Sequence, residues 1–279
     1  MKVFVTGATG YIGSAVVKEL IHAGYQVLGL ARSDGGAEML KKAGADVHYG
    51  SLDDLDSLRS GAAAVDGVIH LAFKHDFSNF ADALKTDLHV VEIMGAALEG
   101  TGKPLVITNH ANGEASQKAL FALSGVRTVL ASLAPTVHGE GDRHGFVPRL
   151  IDIARKAGVS AYVGDGSNRW PAVHRLDAAV LYRLALEKAP AGSQLTGRAE
   201  EGVPFRTIAE VIGKQLNLPA VSIAREEADA HFGFLGALAA LDIPTAIPAS
   251  SEQTRELLGW QPMQPTLIAD LEQGYYFKN

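Results

Sequence analysis

Gly7, Gly10 and Gly13 stand between a β-branched apolar run (Val3, Phe4, Val5) and a helical pattern in which Ile12, Val16, Val17, Leu20 and Ile21 share a face. A strand that turns through glycine into a helix N-terminus makes a cradle for an anion. The N–H groups of the turn and the positive end of the helix dipole converge there, and the missing Cβ atoms let a pyrophosphate come close. Gly7, Thr9, Gly10, Tyr11, Ile12 and Gly13 are the residues expected to line it, with a dinucleotide as the ligand. A P-loop reading fails, because no Gly-Lys-Ser/Thr follows at the required distance.

A second group decides which dinucleotide. An acid at the end of the second strand would bind a ribose 2′-hydroxyl and repel a 2′-phosphate. Here the strand ends Leu28-Gly-Leu-Ala-Arg-Ser33, with Ala31 at the acid's place. Arg32 can fork onto a phosphate and Ser33 can donate a hydrogen bond to it, so NADP(H) is expected. The competing reading is an ordinary surface arginine. A third group is Thr108-Asn109-His110. A histidine titrates near neutrality and can serve as a general acid, with Asn109 beside it and Thr108 able to orient a carbonyl. The plainer alternative is a loop histidine next to an amide that caps a turn. His75, flanked by Asp76, is a further candidate proton donor, although neighbouring side chains seldom face each other and a solvated loop competes.

The elements that must position these groups alternate through the first half of the chain. Strands are expected at Tyr25–Leu30, Asp46–Tyr49, Gly67–Leu71, Pro104–Thr108 and Arg127–Leu133, with helices at Gly36–Ala43, Leu55–Gly61, Asp82–Leu98 and Glu114–Leu123 between them. That alternation implies an α/β fold, a Rossmann-type doubly wound parallel sheet with right-handed crossovers and its ligands at the carboxyl ends of the strands. After Pro135 the texture changes. Helices are expected at Phe146–Lys156, Asp177–Lys188, Pro204–Gln215 and Glu252–Leu258, short strands at Ser160–Val163 and Val221–Ala224, and an apolar helix at Phe232–Leu241.

The octet Thr6-Gly-Ala-Thr-Gly-Tyr-Ile-Gly13 resembles the short-chain dehydrogenase/reductase superfamily, in particular its extended and atypical branches related to NAD-dependent epimerases and dehydratases. The resemblance implies a Rossmann domain over 1–140, with 168–198 returning to it, and a smaller, mainly C-terminal substrate lobe over 141–167 and 199–279. It also implies that Ser51 and Leu52 meet the adenine, that Leu71, Ala72 and Phe73 wall the riboses, and that Pro135, Thr136 and Val137 hold the nicotinamide. His174 would pack behind the site and Asp177 would cap the helix that follows. Most relatives use a tyrosine with a lysine four residues later, the lysine lowering the phenol's pKa. None of the seven tyrosines here has that lysine, and the expected helix carries Lys118 but no tyrosine. Relatives often dimerise through two sheet-flanking helices, so the resemblance implies a homodimer through Asp82–Leu98 and Glu114–Leu123 here.

Composition removes other classes. A formal charge of −6 with no basic stripe gives nucleic-acid binding little support, and the absence of cysteine excludes disulfides and thiolate chemistry. No histidine pair has zinc spacing with a carboxylate partner, so no metal is expected. The longest apolar run is about half of the ~20 residues of a membrane span. A core strand begins at once, leaving no room for a signal peptide, so a cytoplasmic protein without membrane partners is expected. The leading expectation is an NADP(H)-dependent oxidoreductase that reduces a carbonyl or related double bond of a small molecule. The alternatives are a non-catalytic NADP(H)-binding sensor or partner-binding protein, and a lyase or isomerase using the same pocket.

Overall fold

Residues 1–74, 79–110 and 112–278 are described in a computed structural model. The candidate His75 lies outside them. Strand β1 (Lys2–Thr6) is buried on both faces through Val3, Phe4 and Val5, as a central parallel strand must be. Helix α1 (Tyr11–His22) packs Ala15, Val16, Val17 and Leu20 inward and ends at Gly24, which takes a positive φ of 86°. Then follow β2 (Gln26–Ala31), α2 (Asp34–Ala43), β3 (Asp46–Tyr49), α3 (Leu55–Ala63), β4 (Gly67–His70), α4 (Phe80–Leu98), β5 (Pro104–Thr108), α5 (Glu114–Ala122) and β6 (Arg127–Leu133). The later elements are β7 (Thr136–His138), α6 (Phe146–Ala157), β8 (Ser160–Val163), β9 (Arg169–His174), α7 (Arg175–Lys188), β10 (Ser193–Gly197), β11 (Glu200–Pro204), α8 (Phe205–Leu216) and β12 (Ala220–Ile223). Five helices close the chain: α9 (Ala228–Phe232), α10 (Gly236–Ala239), α11 (Ile243–Ala246), α12 (Glu252–Leu258) and α13 (Leu267–Glu272).

The central sheet runs β10-β6-β5-β4-β1-β2-β3. Pairs β1–β2, β2–β3, β1–β4, β4–β5 and β5–β6 are all parallel. The order reverses between β1 and β4, and there Thr6 sits opposite His70. That switch point is where a doubly wound sheet opens its ligand crevice. The α/β Rossmann architecture is the expected one.

The chain divides into two compact units, Met1–Ser132 with Ala178–Leu195 and Thr254–Trp260, and Leu133–Asp177 with Thr196–Gln253 and Gln261–Asn279. The boundaries differ from the expected ones at 133–140, 168–177, 196–198 and 254–260. Residues 133–140 and 168–177 join the second unit because β7 pairs with β9, and β9 with β11, in a separate three-stranded sheet. Residues 254–260 join the first, where Trp260 is fully buried and the Leu258 carbonyl accepts from Lys188 Nζ at 3.3 Å. The core of the second unit is built around Trp170, whose ring meets Phe205 edge-on at 4.8 Å and whose indole N–H donates to the Leu238 carbonyl at 3.0 Å. The expected continuous helix at 232–241 is broken instead. Gly233 adopts φ 59° and ψ −132°, and a Cβ at Gly236 would lie 2.3 Å from Asp229 Oδ1, so the segment folds as short turns of helix.

Candidate coenzyme and active site

Gly7 leaves β1 with φ +67°, and its carbonyl accepts from Gly10 N at 2.9 Å. Gly10 is the N-cap of α1 and no side chain caps the helix there, so the first turn keeps its donors directed along the axis. The space is one that side chains would fill. A Cβ on Gly13 would lie 1.9 Å from Gly7 O, and a Cβ on Gly7 would lie 2.8 Å from Ala72 N. The turn is thus wedged between its own helix and the end of β4, and this bare, uncapped cradle fits the diphosphate of a dinucleotide.

At the end of β2, Ala31 is buried and Arg32 exposed. Ser33 caps α2, its Oγ accepting from Gly36 N at 3.3 Å, which leaves its own proton to donate. The turn's acid, Asp34, accepts from the Tyr49 hydroxyl at 3.2 Å. A Cβ on Gly36 would lie 3.5 Å from both Ser33 Oγ and Thr9 Cγ2, which places the cradle's Thr9 beside the β2 turn. Ser51 Oγ accepts from Asp53 N at 3.2 Å, so this oxygen braces its own loop. Next to Ser51 in sequence, Leu52 is half-buried. Lys74 Nζ reaches Asp53 Oδ1 at 2.5 Å and ties the loop after β3 to the loop after β4.

Below the cradle a polar chain runs through the core. Thr6 Oγ1 accepts from Leu71 N and Ala72 N, each at 3.3 Å, and lies 2.6 Å from His70 Nδ1. With both lone pairs engaged, the hydroxyl donates to Nδ1, which puts the ring proton on Nε2 facing Asp87 Oδ1 at 3.2 Å. Ser116 donates to the other oxygen of Asp87 at 2.6 Å. Burial pushes the Asp87 carboxyl up, but the hydrogen bonds from His70 and Ser116, with His110 beside them, hold it below its ordinary value.

His110 Nε2 lies 4.0 Å from that same Oδ1, and the His110 ring stacks on Phe73 at 4.1 Å between centroids, tilted by 29°. The structure therefore brings His110 to Phe73 and to a buried carboxylate absent from the sequence-derived site. Asn109 is held at both ends, donating to Ser132 Oγ at 2.9 Å and accepting from Gln117 Nε2 at 2.8 Å. Thr108 donates to the His70 carbonyl at 3.1 Å and lies 2.7 Å from the Tyr182 hydroxyl, which is therefore the donor of that pair. Thr108 has no proton left for a substrate carbonyl. Tyr182 is fully buried, and that burial pushes its phenol well above the ordinary range.

Pro135, Thr136 and Val137 belong to the second unit, at the start of β7. The same unit holds a buried cluster in which His138 Nδ1 meets Asp270 Oδ2 at 2.6 Å and His174 Nε2 lies 3.6 Å from that oxygen. Burial lowers the His174 pKa, an effect that Asp270 partly offsets. The expected cap is different here: His174 Nδ1, not Asp177, accepts from Leu176 N at 3.2 Å. Asp177 instead accepts from Met263 N at 2.9 Å and Gln264 N at 3.1 Å, because the returning chain brings two N–H groups to its carboxylate.

Comparison with known proteins gives a family match over residues 3–102, to the NAD dependent epimerase/dehydratase family. An uncharacterized protein of Schizosaccharomyces pombe is 47% identical, over 99% of this chain and 100% of its own. A 2-alkyl-3-oxoalkanoate reductase of Stenotrophomonas maltophilia is 27% identical, over 80% of this chain and 78% of its own. Among solved structures, the dTDP-glucose 4,6-dehydratase DesIV of Streptomyces venezuelae, with NAD and TYD bound, superposes with a TM-score of 0.75 at 16% identity, covering 99% of this chain and 97% of that one.

Proposed function

Because the chain belongs to the NAD-dependent epimerase/dehydratase family of the short-chain dehydrogenase/reductase superfamily, we propose that it is an NADP(H)-dependent reductase acting on the carbonyl of a small, fairly apolar molecule without a Tyr/Lys pair. The observation that carries the reading is the bare cradle at Gly7, Gly10 and Gly13 beside a β2 turn that offers Arg32 and Ser33 and keeps its acid tied to Tyr49. No acid stands at Ala31, the position from which a ribose diol would be bound, whereas the exposed guanidinium next to it suits a phosphate. The relative named as an oxoalkanoate reductase favours a ketone as the acceptor.

When bound, NADP(H) would supply the hydride for the carbonyl carbon. The chain's own contribution is a proton for the carbonyl oxygen. His110, its ring plane fixed by Phe73, donates that proton as the C=O π bond opens, is left neutral, and is reprotonated from solvent. Leu71, Ala72 and Phe73, whose backbone is fastened by Thr6 at two of those residues, form the wall on which the riboses rest.

The test has two stages. Calorimetric titration should give tight binding of NADPH, weakened by Arg32→Ala on the order of 10–100-fold, with NADH affected far less. NADPH oxidation is then followed on a panel of ketones and aldehydes, where His110→Ala should slow turnover by roughly 10²–10⁴-fold with NADPH affinity kept. Equal loss of both coenzymes in Arg32→Ala refutes the NADP(H) reading. Tight coenzyme binding with no acceptor turned over refutes the reductase reading and leaves a coenzyme-binding sensor.

A further inference from the structure

We infer that Asp87 is the positioning residue for His110, and that a histidine–carboxylate pair here fills the place that a tyrosine–lysine pair holds in relatives. This rests on the reductase reading for its catalytic meaning, but its geometry stands alone. Asp87, on α4, is 4% exposed and still ionised, because three side chains from three elements converge on it. Ser116 on α5 fastens Oδ2 at 2.6 Å, while His70 on β4 and His110 after β5 both face Oδ1, at 3.2 and 4.0 Å. His70 is in turn anchored by Thr6, so the carboxylate cannot swing toward either imidazole.

This arrangement distinguishes the two nitrogens of His110. Nε2 is buried and faces the carboxylate, so a substrate cannot reach it. The proton handed to a carbonyl oxygen must therefore leave from Nδ1. A carboxylate at this distance favours the doubly protonated ring and, once that proton has gone, the tautomer with hydrogen on Nε2. In a tyrosine–lysine pair a cation lowers the pKa of a neutral acid. Here an anion raises that of a cationic acid, bringing it toward the working pH from the other side. The titratable groups facing the ring among the described residues are Asp87 and, across it, His70.

The test reads the imidazole directly. In protein labelled with 15N-histidine, with the His110 signals identified by their loss in His110→Gln, neutral His110 is expected as the Nε2–H tautomer. Its titration should fall by about one to three pH units in Asp87→Asn. In turnover of a ketone, the same variant should move the basic limb of the pH–kcat profile down by the same interval, with KM for NADPH unchanged. A neutral Nδ1–H tautomer in the wild-type protein overturns the inference without recourse to any variant, as does a His110 titration that Asp87→Asn leaves in place. If no carbonyl is reduced, the reductase reading fails while the spectra still decide whether Asp87 governs His110.

Discussion

Replacing Gly13 by alanine sets a methyl carbon 1.9 Å from Gly7 O and 2.7 Å from Gly7 C, both backbone atoms of the turn that precedes the helix. Neither atom can rotate away, so the turn must retreat by about 1 Å before the contact becomes tolerable. Overpacking of this kind costs about 1–3 kcal/mol of stability. The larger effect is expected on coenzyme binding, since the displaced turn is the one proposed to cradle the diphosphate. A displacement of about 1 Å at such a site is expected to cost roughly 10²-fold in NADPH affinity, or about 2.7 kcal/mol. Gly10→Ala provides the graded comparison: its methyl would lie 3.1 Å from the same oxygen, so a shift of a few tenths of an ångström relieves it and affinity should fall only several-fold. Gly24→Ala separates fold damage from site damage. It strains a residue at φ +86° but meets nothing within 4 Å, so it should lower the melting temperature and leave the affinity alone. Calorimetric titration with NADPH, alongside thermal unfolding of each variant, reads all three. Gly13→Ala binding NADPH as tightly as Gly10→Ala would refute the reasoning, because the contact distances would then not govern the site.

Other outcomes follow from the polar chain beneath the cradle. Thr6→Val removes the acceptor of two backbone N–H groups and the donor to His70 Nδ1, and should cost about 1–3 kcal/mol, read as a lower midpoint in urea. Tyr182→Phe deletes only the donor to Thr108, whose hydroxyl keeps its bond to the His70 carbonyl, so the loss should stay near 1 kcal/mol. The Asp87 carboxyl is held below its ordinary value in the folded protein, so its contribution is fully present above the unfolded-state value near 3.8 and is lost as the pH falls through the lower folded-state value. Unfolding midpoints of wild type and Asp87→Asn should therefore converge below about pH 4 and separate above it. A constant difference down to the lowest pH would show that the carboxylate's charge is not what the fold uses.

Local rules made much of this molecule legible from its residues. β3, β5, β6, β8 and α12 lie where period and turn residues place them, and the glycine turn stands between β1 and α1 as the spacing requires. Ends drift by a few residues because helix caps are settled by packing, as where His174 rather than Asp177 caps α7. β7, β9, β10 and β11 escaped because short strands carry little periodicity, and their pairing partners are distant in the chain. The apolar run at 232–241 misled for the opposite reason: its composition is helical, but Gly233 and Gly236 let the chain turn sharply.

By itself, the sequence determined the glycine turn between β1 and α1, the α/β alternation and the missing acid at the end of β2, all of which depend on residues close together in the chain. Only the tertiary structure decided what His110 touches. Asp87 reads as one more polar position on a long helix until β4, α4 and α5 converge on it. The separations of His70 and Ser116 from it, 17 and 29 residues, leave no local pattern. The same folding removed Thr108 from the pool of substrate donors, because its proton goes to the His70 carbonyl, 38 residues away, while Tyr182, 74 residues away, donates to its oxygen. Burial and hydrogen-bond partnership are properties of packed surfaces, and neither exists before the sheet closes over its helices.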